Sequence, residues 1–319
     1  MRATWVSERA AASYHKRLTA SANNRRLTGK ELPMDLTQAE CASLVSRREA
    51  LMLLGAMLVV RGADAAEPGL LQPATLDHVN LRVSNVAKSA EFYTDLFDTP
   101  LLRNPALRAR PNLPPGEAFF LKMGEGYLVV SSAFSPDNPG LDHYSVGIRD
   151  YEQAKLAAKL KDNGIAGEAR SADVWVRDLD GSFIQLRTTG GWARQTAAPM
   201  QRAIGGPSFL PLSMTRIGIR SADLPRAGDF YSRLYGTEVA SAASGRSRLF
   251  GLGDSALELI SGSTNSSPGI DYIRITIKDF NAEAVKRVLG ERGIAMSDSP
   301  GLVRIADPDG IGIELAAPS

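Results

Sequence analysis

The stretch LDHVNLRVSNVAKSAEFYTDLF, from Leu76 to Phe97, decides the fold. Its first part, Leu76–Val83, alternates apolar and polar side chains, which predicts a strand with one buried face. From Val86 to Phe97 the apolar residues recur at helical spacing, so a helix is expected to follow the strand. The stretch MTRIGIRSADLPRAGDFYSRLY, from Met214 to Tyr235, has the same pattern. We interpret the two stretches as the beginnings of two copies of an internal repeat.

Two further pairs of segments repeat in the same order. GLDHYSVGIRD (Gly140–Asp150) matches GIDYIRITIKD (Gly269–Asp279), and RDLDGSFIQL (Arg177–Leu186) matches ADPDGIGIEL (Ala306–Leu315). Within each copy the strand and helix patterns follow the order βαβββ twice. Such a unit can curl its sheet into a half-open barrel with the helices outside and a pocket on the inner face. The predicted class is therefore α+β, with two tandem domains, each a pair of βαβββ modules that forms a half-open barrel.

The repeat sets the expected domain boundaries. The first domain is predicted over residues 75–188 and the second over residues 212–317. Residues 189–211 are rich in Gly, Ala and Pro without periodicity and are interpreted as a linker. The length of 319 residues agrees with two domains of roughly 150 residues each.

Residues 1–65 are expected to lie outside the fold, as a disordered extension followed by a signal peptide. Ser46-Arg47-Arg48-Glu49 precedes an apolar run from Ala50 to Val60, and the small residues Ala63-Asp64-Ala65 follow it. This order is typical of a secretory signal, and the paired arginines resemble a twin-arginine signal. An ordinary secretory signal and a membrane tether are the alternatives. The expected location is periplasmic or secreted, with no stable membrane anchor after cleavage.

Composition excludes several functional classes. The formal net charge of +2 argues against a strongly basic nucleic-acid-binding protein. Cys41 is the one cysteine of the chain, so neither an intrachain disulfide nor a cysteine-based zinc ribbon can form. The chain has three histidines, His15, His78 and His143. Any chemistry that uses histidine must use these positions.

The segments LDHVNLRV, FYTDLF, LDHYSVGI and DLDGSFIQL together resemble the vicinal oxygen chelate superfamily, which includes glyoxalases, bleomycin-resistance proteins and extradiol dioxygenases. With the second copy, the resemblance covers residues 75–317. It implies metal ligands on the first, fifth and eighth strands of a domain, and an optional one on the fourth. The matching residues of the first copy are His78, His143 and Gln185, with Val129 at the optional position.

The implied cofactor is one divalent metal ion, with iron, manganese, zinc and nickel as the candidates. Such an ion would polarise two adjacent oxygens of a small substrate. Gln185 offers a neutral amide where a carboxylate is more usual, so a decayed site or a polar pocket floor is the alternative interpretation. Val129 can neither bind a metal nor act as a base. The catalytic acid or base is therefore unknown.

Four polar residues share strand parity with the predicted ligands and should line the same substrate pocket. Two of the four, Arg82 and Arg187, are arginines. Each could bind an anionic group of the substrate, or be paired with a carboxylate at the end of a strand. The four residues are Asn80, Arg82, Ser145 and Arg187. Tyr144 and Trp175 are interpreted as packing residues.

The second copy lacks the histidines. Its matching positions hold Arg216, Glu258, Tyr272 and Glu314. A guanidinium group cannot bind a metal, but it can neutralise carboxylates. We therefore predict a metal-free second domain in which Arg216 lies between Glu258 and Glu314 in an ion-pair cluster, with separate exposure of these residues as the alternative.

The sequence thus favours an exported metal-dependent enzyme of the glyoxalase or extradiol dioxygenase type. The first alternative is a non-catalytic small-molecule binding protein resembling bleomycin-resistance proteins, and the second is a structural remnant without a ligand. The expected partners are a small-molecule substrate and, as a candidate, a second copy in a homodimer. No nucleic acid is expected as a partner.

Overall fold

The computed structural model describes residues 68–99, 101–103, 118–133, 138–190, 198–199, 209–241, 245–262 and 269–318. The expected extension and signal peptide, and most of the expected linker, lie outside the described residues. No helix within the described ranges has the length and apolar character needed to cross a membrane.

The first domain contains two strand-helix-strand modules in succession. The first module consists of β1 (Pro73–Val83), α1 (Val86–Leu96), β2 (Leu101–Arg103), β3 (Ala118–Met123) and β4 (Gly126–Ser132). The second consists of β5 (Gly140–Ile148), α2 (Gln153–Asp162), β6 (Gly167–Arg170), β7 (Asp173–Arg177) and β8 (Phe183–Thr188). The predicted alternation of β1 is present, because Val79, Leu81 and Val83 are buried in the core. Helix α1 begins after Asn85, whose side chain accepts a hydrogen bond from the Lys88 amide at 3.0 Å.

The strands of the first domain form one mixed, open sheet in the order β6-β7-β8-β5-β1-β4-β3-β2, with β9 (Ala198–Pro199) at the end. The two modules meet at the antiparallel pair β1 and β5 in the middle of the sheet. Strand β1 also pairs in parallel with β4, and β5 with β8. Strand β9 falls within the predicted linker: it pairs with β2 and so covers an otherwise free sheet edge.

The second domain repeats this order. It contains β10 (Pro211–Ser221), α3 (Leu224–Tyr235), β11 (Ala240–Ser241), β12 (Ser247–Leu252), β13 (Ser255–Ser261), β14 (Ile270–Ile277), α4 (Ala282–Glu291), β15 (Met296–Ser299), β16 (Leu302–Ala306) and β17 (Gly312–Ala316). Its strand order is β11-β12-β13-β10-β14-β17-β16-β15. Two mixed, unclosed sheets with few helices confirm the predicted α+β class with two domains.

The two domains exchange equivalent contacts. The segment before each first strand pairs with the end of the other domain's first helix: the Leu71 amide donates to the Leu234 carbonyl at 2.9 Å, and the Phe209 amide donates to the Leu96 carbonyl at 3.2 Å. At the tip of the β3–β4 hairpin, Gly124 has φ of 65° and lies against the backbone of Leu212. A side chain there would be strained and would collide with the second domain, which explains the glycine.

Two tyrosines bind the domains together in the same reciprocal way. The Tyr93 hydroxyl of α1 donates to Asp307 at 2.9 Å, and the Tyr231 hydroxyl of α3 donates to Asp178 at 2.8 Å. All four side chains are buried. Each aspartate also accepts backbone hydrogen bonds within its own turn, from Ser182 in one domain and from Ile311 in the other. The Asp-Gly turns, which contain Asp180-Gly181 in one domain and Asp309-Gly310 in the other, therefore also serve as contact points between the domains.

Candidate functional site

His78 of β1 and His143 of β5 meet in the middle of the first sheet. Their Nε2 atoms lie 2.9 Å apart, and the two rings meet edge to face with centroids 5.0 Å apart. Both side chains are buried; 1% of His78 and 8% of His143 is exposed. The structure thus brings together the two histidines that the sequence singles out.

A register shift on each strand places an aspartate beside each histidine. Along β1, Leu76 pairs with Val146 and His78 with Ser145, so Asp77 is an extra residue without a partner on β5. Side chains of neighbouring strand residues normally point to opposite faces, but a bulge can turn two of them to the same side. Asp77 Oδ1 accordingly lies 2.7 Å from His78 Nδ1.

The second bulge lies on β5. Asn80 pairs with His143 and the next residue, Leu81, pairs with Leu141, which leaves Asp142 as the extra residue. Asp142 Oδ2 lies 2.6 Å from His143 Nδ1. The site is therefore two aspartate-histidine pairs that face each other through their Nε2 atoms.

These contacts bear on which nitrogen of each imidazole carries the proton. An ionised carboxylate only accepts hydrogen bonds, so Nδ1 of His78 and of His143 carries the proton in each pair. A neutral imidazole with a proton on Nδ1 has a lone pair on Nε2. Burial lowers the pKa of His78 to about 4, an effect that outweighs the opposing influence of the hydrogen bond that Nδ1 donates to Asp77. If both rings carry their proton on Nδ1, two Nε2 lone pairs face each other across 2.9 Å, an arrangement that a shared cation would stabilise.

Gln185 of β8 is held by a neighbouring aspartate. Its Nε2 donates to Asp173 Oδ2 at 2.5 Å, and its side chain is buried. Arg187, two residues further on, lies between two carboxylates, with its Nη1 3.7 Å from Asp77 and its Nε 3.6 Å from Asp173. Asp173 on β7 thus connects the predicted third ligand to a predicted pocket residue.

The other predicted pocket residues have different surroundings. Arg82 Nε lies 3.7 Å from Asp142, and its Nη2 donates to the Leu141 carbonyl at 3.1 Å. Asn80 Oδ1 accepts from Ser131 Oγ at 2.9 Å. The buried Ser145 hydroxyl has no hydrogen-bond partner among the described residues. Both arginines therefore contact aspartates of the site, which is the ion-paired alternative that the sequence left open.

Sequence reasoning missed Asp77, Asp142 and Asp173. A signal for the first two was present, because the tripeptide Leu-Asp-His occurs at 76–78 and again at 141–143. Trp175 also belongs to the site: its ring lies edge to face with His143, with centroids 4.9 Å apart. Tyr144 is a packing residue, as expected, and its hydroxyl lies 3.1 Å from that of Tyr235. Val129 on β4 is buried and pairs with Asn80 on β1 and Phe120 on β3.

Residues 75–186 match the model of the Glyoxalase/Bleomycin resistance protein/Dioxygenase superfamily. The first domain is therefore similar to this superfamily. The whole fold is similar to a solved catechol 2,3-dioxygenase, with a TM-score of 0.58 and 16% identity over 78% of this chain and 89% of that chain. It is also similar to homoprotocatechuate 2,3-dioxygenase from Arthrobacter globiformis, with a TM-score of 0.57 and 15% identity over 79% of this chain and 81% of that chain.

A variant of homoprotocatechuate 2,3-dioxygenase from B. fuscum gives a TM-score of 0.58 and 16% identity over 79% of this chain and 73% of that chain. At such identities the likeness shows the fold. No curated protein matches the sequence.

The residues of the first domain fit a metal ion in part. Two nitrogen ligands at about 2.1 Å from one ion and at right angles to each other are about 3.0 Å apart, close to the separation of the two Nε2 atoms. Carboxylates on the outer nitrogens are the usual partners of metal-binding histidines. However, no group of three His, Cys, Asp or Glu side chains within the described part of the chain is arranged to hold a metal. The protein thus offers two ligands, and Gln185 is bound to Asp173.

The second domain has an ion-pair cluster at the equivalent place, but with different pairing from the prediction. Arg216 lies 3.5 Å from Glu258, which also accepts from the Tyr272 hydroxyl. Glu314 instead binds Arg274, whose Nη2 lies 2.7 Å away, and lies 3.7 Å from Arg304.

The prediction that Arg216 lies between both glutamates was therefore wrong in its pairing. The reason is strand register, because Glu314 is directly opposite Arg274 on β14 and opposite Arg304 on β16. Asp271, which corresponds to Asp142, extends the cluster by binding Arg220 and Arg304. Two glycines make room for the side chains of this cluster. A Cβ on Gly218 would collide with the Tyr272 ring, and a Cβ on Gly312 would collide with Arg304.

Proposed function

We propose that the first domain binds one divalent transition-metal ion through His78 and His143, and that the protein is a metal-dependent enzyme of the glyoxalase or extradiol dioxygenase type. The observation that carries this proposal is the approach of the two Nε2 atoms to 2.9 Å while both Nδ1 atoms contact carboxylates. The substrate class is a small molecule with two adjacent oxygens. The names of the similar solved structures, which refer to catechol and homoprotocatechuate, support a small aromatic diol.

When bound, the metal ion supplies Lewis-acid polarisation of two adjacent substrate oxygens. The protein contributes orientation, since Asp77 and Asp142 hold the two imidazoles. Burial of His78 keeps it neutral and able to donate its lone pair. Trp175 packs against His143 and limits the movement of its ring. With only two histidine ligands, more coordination positions are left for substrate and water than in a site with a third protein ligand.

Metal analysis of the purified protein, with a paired set of histidine variants, tests the proposal. We expect about one divalent ion per chain in the wild type, and loss of that ion in His78→Ala and in His143→Ala. In the full-length, uncleaved chain, His15→Ala is the matched control, because His15 is the third histidine. Oxygen uptake with catechol as probe then tests turnover. A wild-type protein that binds no divalent metal contradicts the proposal.

The same experiment separates the enzyme from the alternative of a small-molecule binding protein. The engagement of Gln185 with Asp173 favours that alternative, because it leaves the site without a third protein ligand. Saturable catechol binding that survives in both histidine variants, with no turnover in the wild type, would assign the protein to the binding class.

We also propose that the protein is exported to the periplasm or secreted after cleavage near Ala65. The support is the order of paired arginines, apolar run and small residues in the sequence. Cell fractionation with N-terminal sequencing of the mature protein checks this. A homodimer remains the candidate assembly.

A further inference from the structure

Each histidine of the site belongs to a three-residue chain. In the first chain, Arg187 Nη1 lies 3.7 Å from Asp77 Oδ1, and the same Asp77 oxygen lies 2.7 Å from His78 Nδ1. All three side chains are buried. The aspartate is thus held from one side by a cation and presents its oxygen to the imidazole on the other.

The second chain is built in the same way on the neighbouring strand. Arg82 Nε lies 3.7 Å from Asp142 Oδ1, and Asp142 Oδ2 lies 2.6 Å from His143 Nδ1. Here the aspartate is more accessible, with 31% of its side chain exposed. Two separate bulges, one on β1 and one on β5, bring these aspartates to the histidine face. A single bulge would orient only one imidazole.

The orientation matters because two neutral imidazoles so close together have a competing arrangement. If one histidine carried its proton on Nε2, it would donate to Nε2 of the other, and the pair would close on itself at the observed 2.9 Å. Neither nitrogen would then be free for a ligand. A carboxylate at each Nδ1 opposes this arrangement, because it favours the proton on the outer nitrogen of both rings.

We propose that Asp77 and Asp142 are positioning residues that keep both imidazoles in the Nδ1-protonated form, so that the two Nε2 lone pairs stay available for one divalent cation. Arg187 and Arg82 hold the aspartates in place and are not the anchors of a substrate anion. This inference rests on the proposed metal-binding function of the histidine pair.

The first arm of the test measures affinity for zinc alone in the full chain. Asp77→Asn and Asp142→Asn keep the shape of the side chain and remove its charge, and Asp229→Asn, on an exposed helix position, is the control. Loss of an outer-shell partner typically weakens metal binding by about 10–100-fold. We expect a loss of that size in each site variant and none in the control, measured by competition with a chromophoric chelator. Asp142 is partly exposed, so its variant should fold even if the Asp77 variant does not.

The second arm reads the protonation of the rings without metal. Long-range ¹H–¹⁵N correlation spectra of the metal-free wild type should show both histidines as Nδ1-H tautomers. In Asp142→Ala, which removes the acceptor, we expect an Nε2-H signal from one ring.

The two arms separate the failure of this inference from that of the proposed function. If the wild type binds no zinc, the proposed function fails, while the tautomer spectra still decide the role of the aspartates. If the wild type binds zinc and the aspartate variants bind it equally well, the inference fails alone. An Nε2-H ring in the metal-free wild type would also overturn it.

Discussion

Gln185 occupies a position where its hydrogen-bond acceptor, Asp173, decides which side chain can be accommodated. Its amide nitrogen donates to Asp173 at 2.5 Å in a buried environment, and Asp173 also lies 3.6 Å from Arg187. An amide can donate to a carboxylate, whereas a glutamate at the same place could only accept. The absence of a carboxylate at position 185 is therefore linked to the presence of Asp173. Substitutions at positions 185 and 173 should have non-additive effects on stability.

This coupling predicts the behaviour of Gln185→Glu. The single variant places two carboxylates against each other, so we expect it to lower the free energy of unfolding by about 1–3 kcal/mol at neutral pH. In the double variant with Asp173→Asn, the amide and the acid exchange places and most of that loss should be recovered. We also expect the double variant to bind zinc more tightly, because it supplies an anionic oxygen at position 185. Urea unfolding of the wild type, both single variants and the double variant measures the coupling energy. Equal and additive losses would contradict it.

At the level of strands and helices, periodicity predicted the elements well because each strand has one buried face. The βαβββ order, the two histidine strands and the helix from Val86 all followed from apolar spacing. Periodicity assumes a regular alternation of faces, and it fails where the alternation is broken. Asp77 and Asp142 lie in bulges, so parity assigned them to the face opposite their histidines. The bulges depend on how β1 and β5 pair, which residue spacing within one strand does not reveal.

Cross-strand register likewise decides the pairing in the second domain. The match to the ligand positions of the first copy predicted that Arg216, Glu258, Tyr272 and Glu314 lie together, but such a match does not say which residues are directly opposite each other. Register places Glu314 between Arg274 and Arg304, and only 8% of its side chain is exposed. Arg216 and Glu258 are more accessible, with 28% and 21% exposed. Burial and register together indicate that the pair of Glu314 with Arg274 contributes more to stability than the pair of Arg216 with Glu258.

We therefore expect Arg274→Met to lower the free energy of unfolding more than Arg216→Met does. Removing Arg274 takes from the buried Glu314 its nearest cation, and breaking such a pair costs about 3–5 kcal/mol. Removing Arg216 affects a partly exposed pair whose carboxylate still accepts from Tyr272, so the cost should be below about 1 kcal/mol. Chemical denaturation of the two variants checks the order. A larger effect of Arg216→Met would mean that the cluster depends on the pairing originally predicted.

At the scale of the whole molecule, the two domains are joined by reciprocal contacts between equivalent residues. Tyr93 and Tyr231 occupy the same position in the two copies of the repeat, and each donates to the Asp-Gly turn of the other domain. Burial raises the pKa of both Asp307 and Asp178, while the tyrosine hydrogen bonds lower it. The sequence showed that the copies match, but matching alone does not show that each copy completes a turn in the other.

The reciprocal hydrogen bonds predict that Tyr93→Phe lowers the free energy of unfolding by an amount that depends on pH. The Tyr93 hydroxyl stabilises the ionised form of the buried Asp307 carboxyl, so its removal should cost about 1.5–3 kcal/mol at neutral pH. Burial raises the pKa of Asp307 in the folded state above its value in the unfolded chain. The folded protein therefore loses stability as the pH rises from the unfolded-state pKa through the folded-state pKa. The variant raises that pKa further, so its deficit relative to the wild type should grow with pH and shrink in acid.

Thermal or urea unfolding at several pH values measures this deficit, and Tyr151→Phe is the control. The Tyr151 hydroxyl donates to a backbone carbonyl at an exposed position, so its loss should cost less than about 1 kcal/mol with no comparable dependence on pH. A Tyr93→Phe deficit that stays constant from pH 4 to pH 8 would show that the hydroxyl does not act on the ionised carboxylate. A deficit that grows with pH, repeated in Tyr231→Phe, would place both buried aspartates at the junction as charged acceptors. The stability of the pair of domains would then depend on residues that neither domain supplies alone.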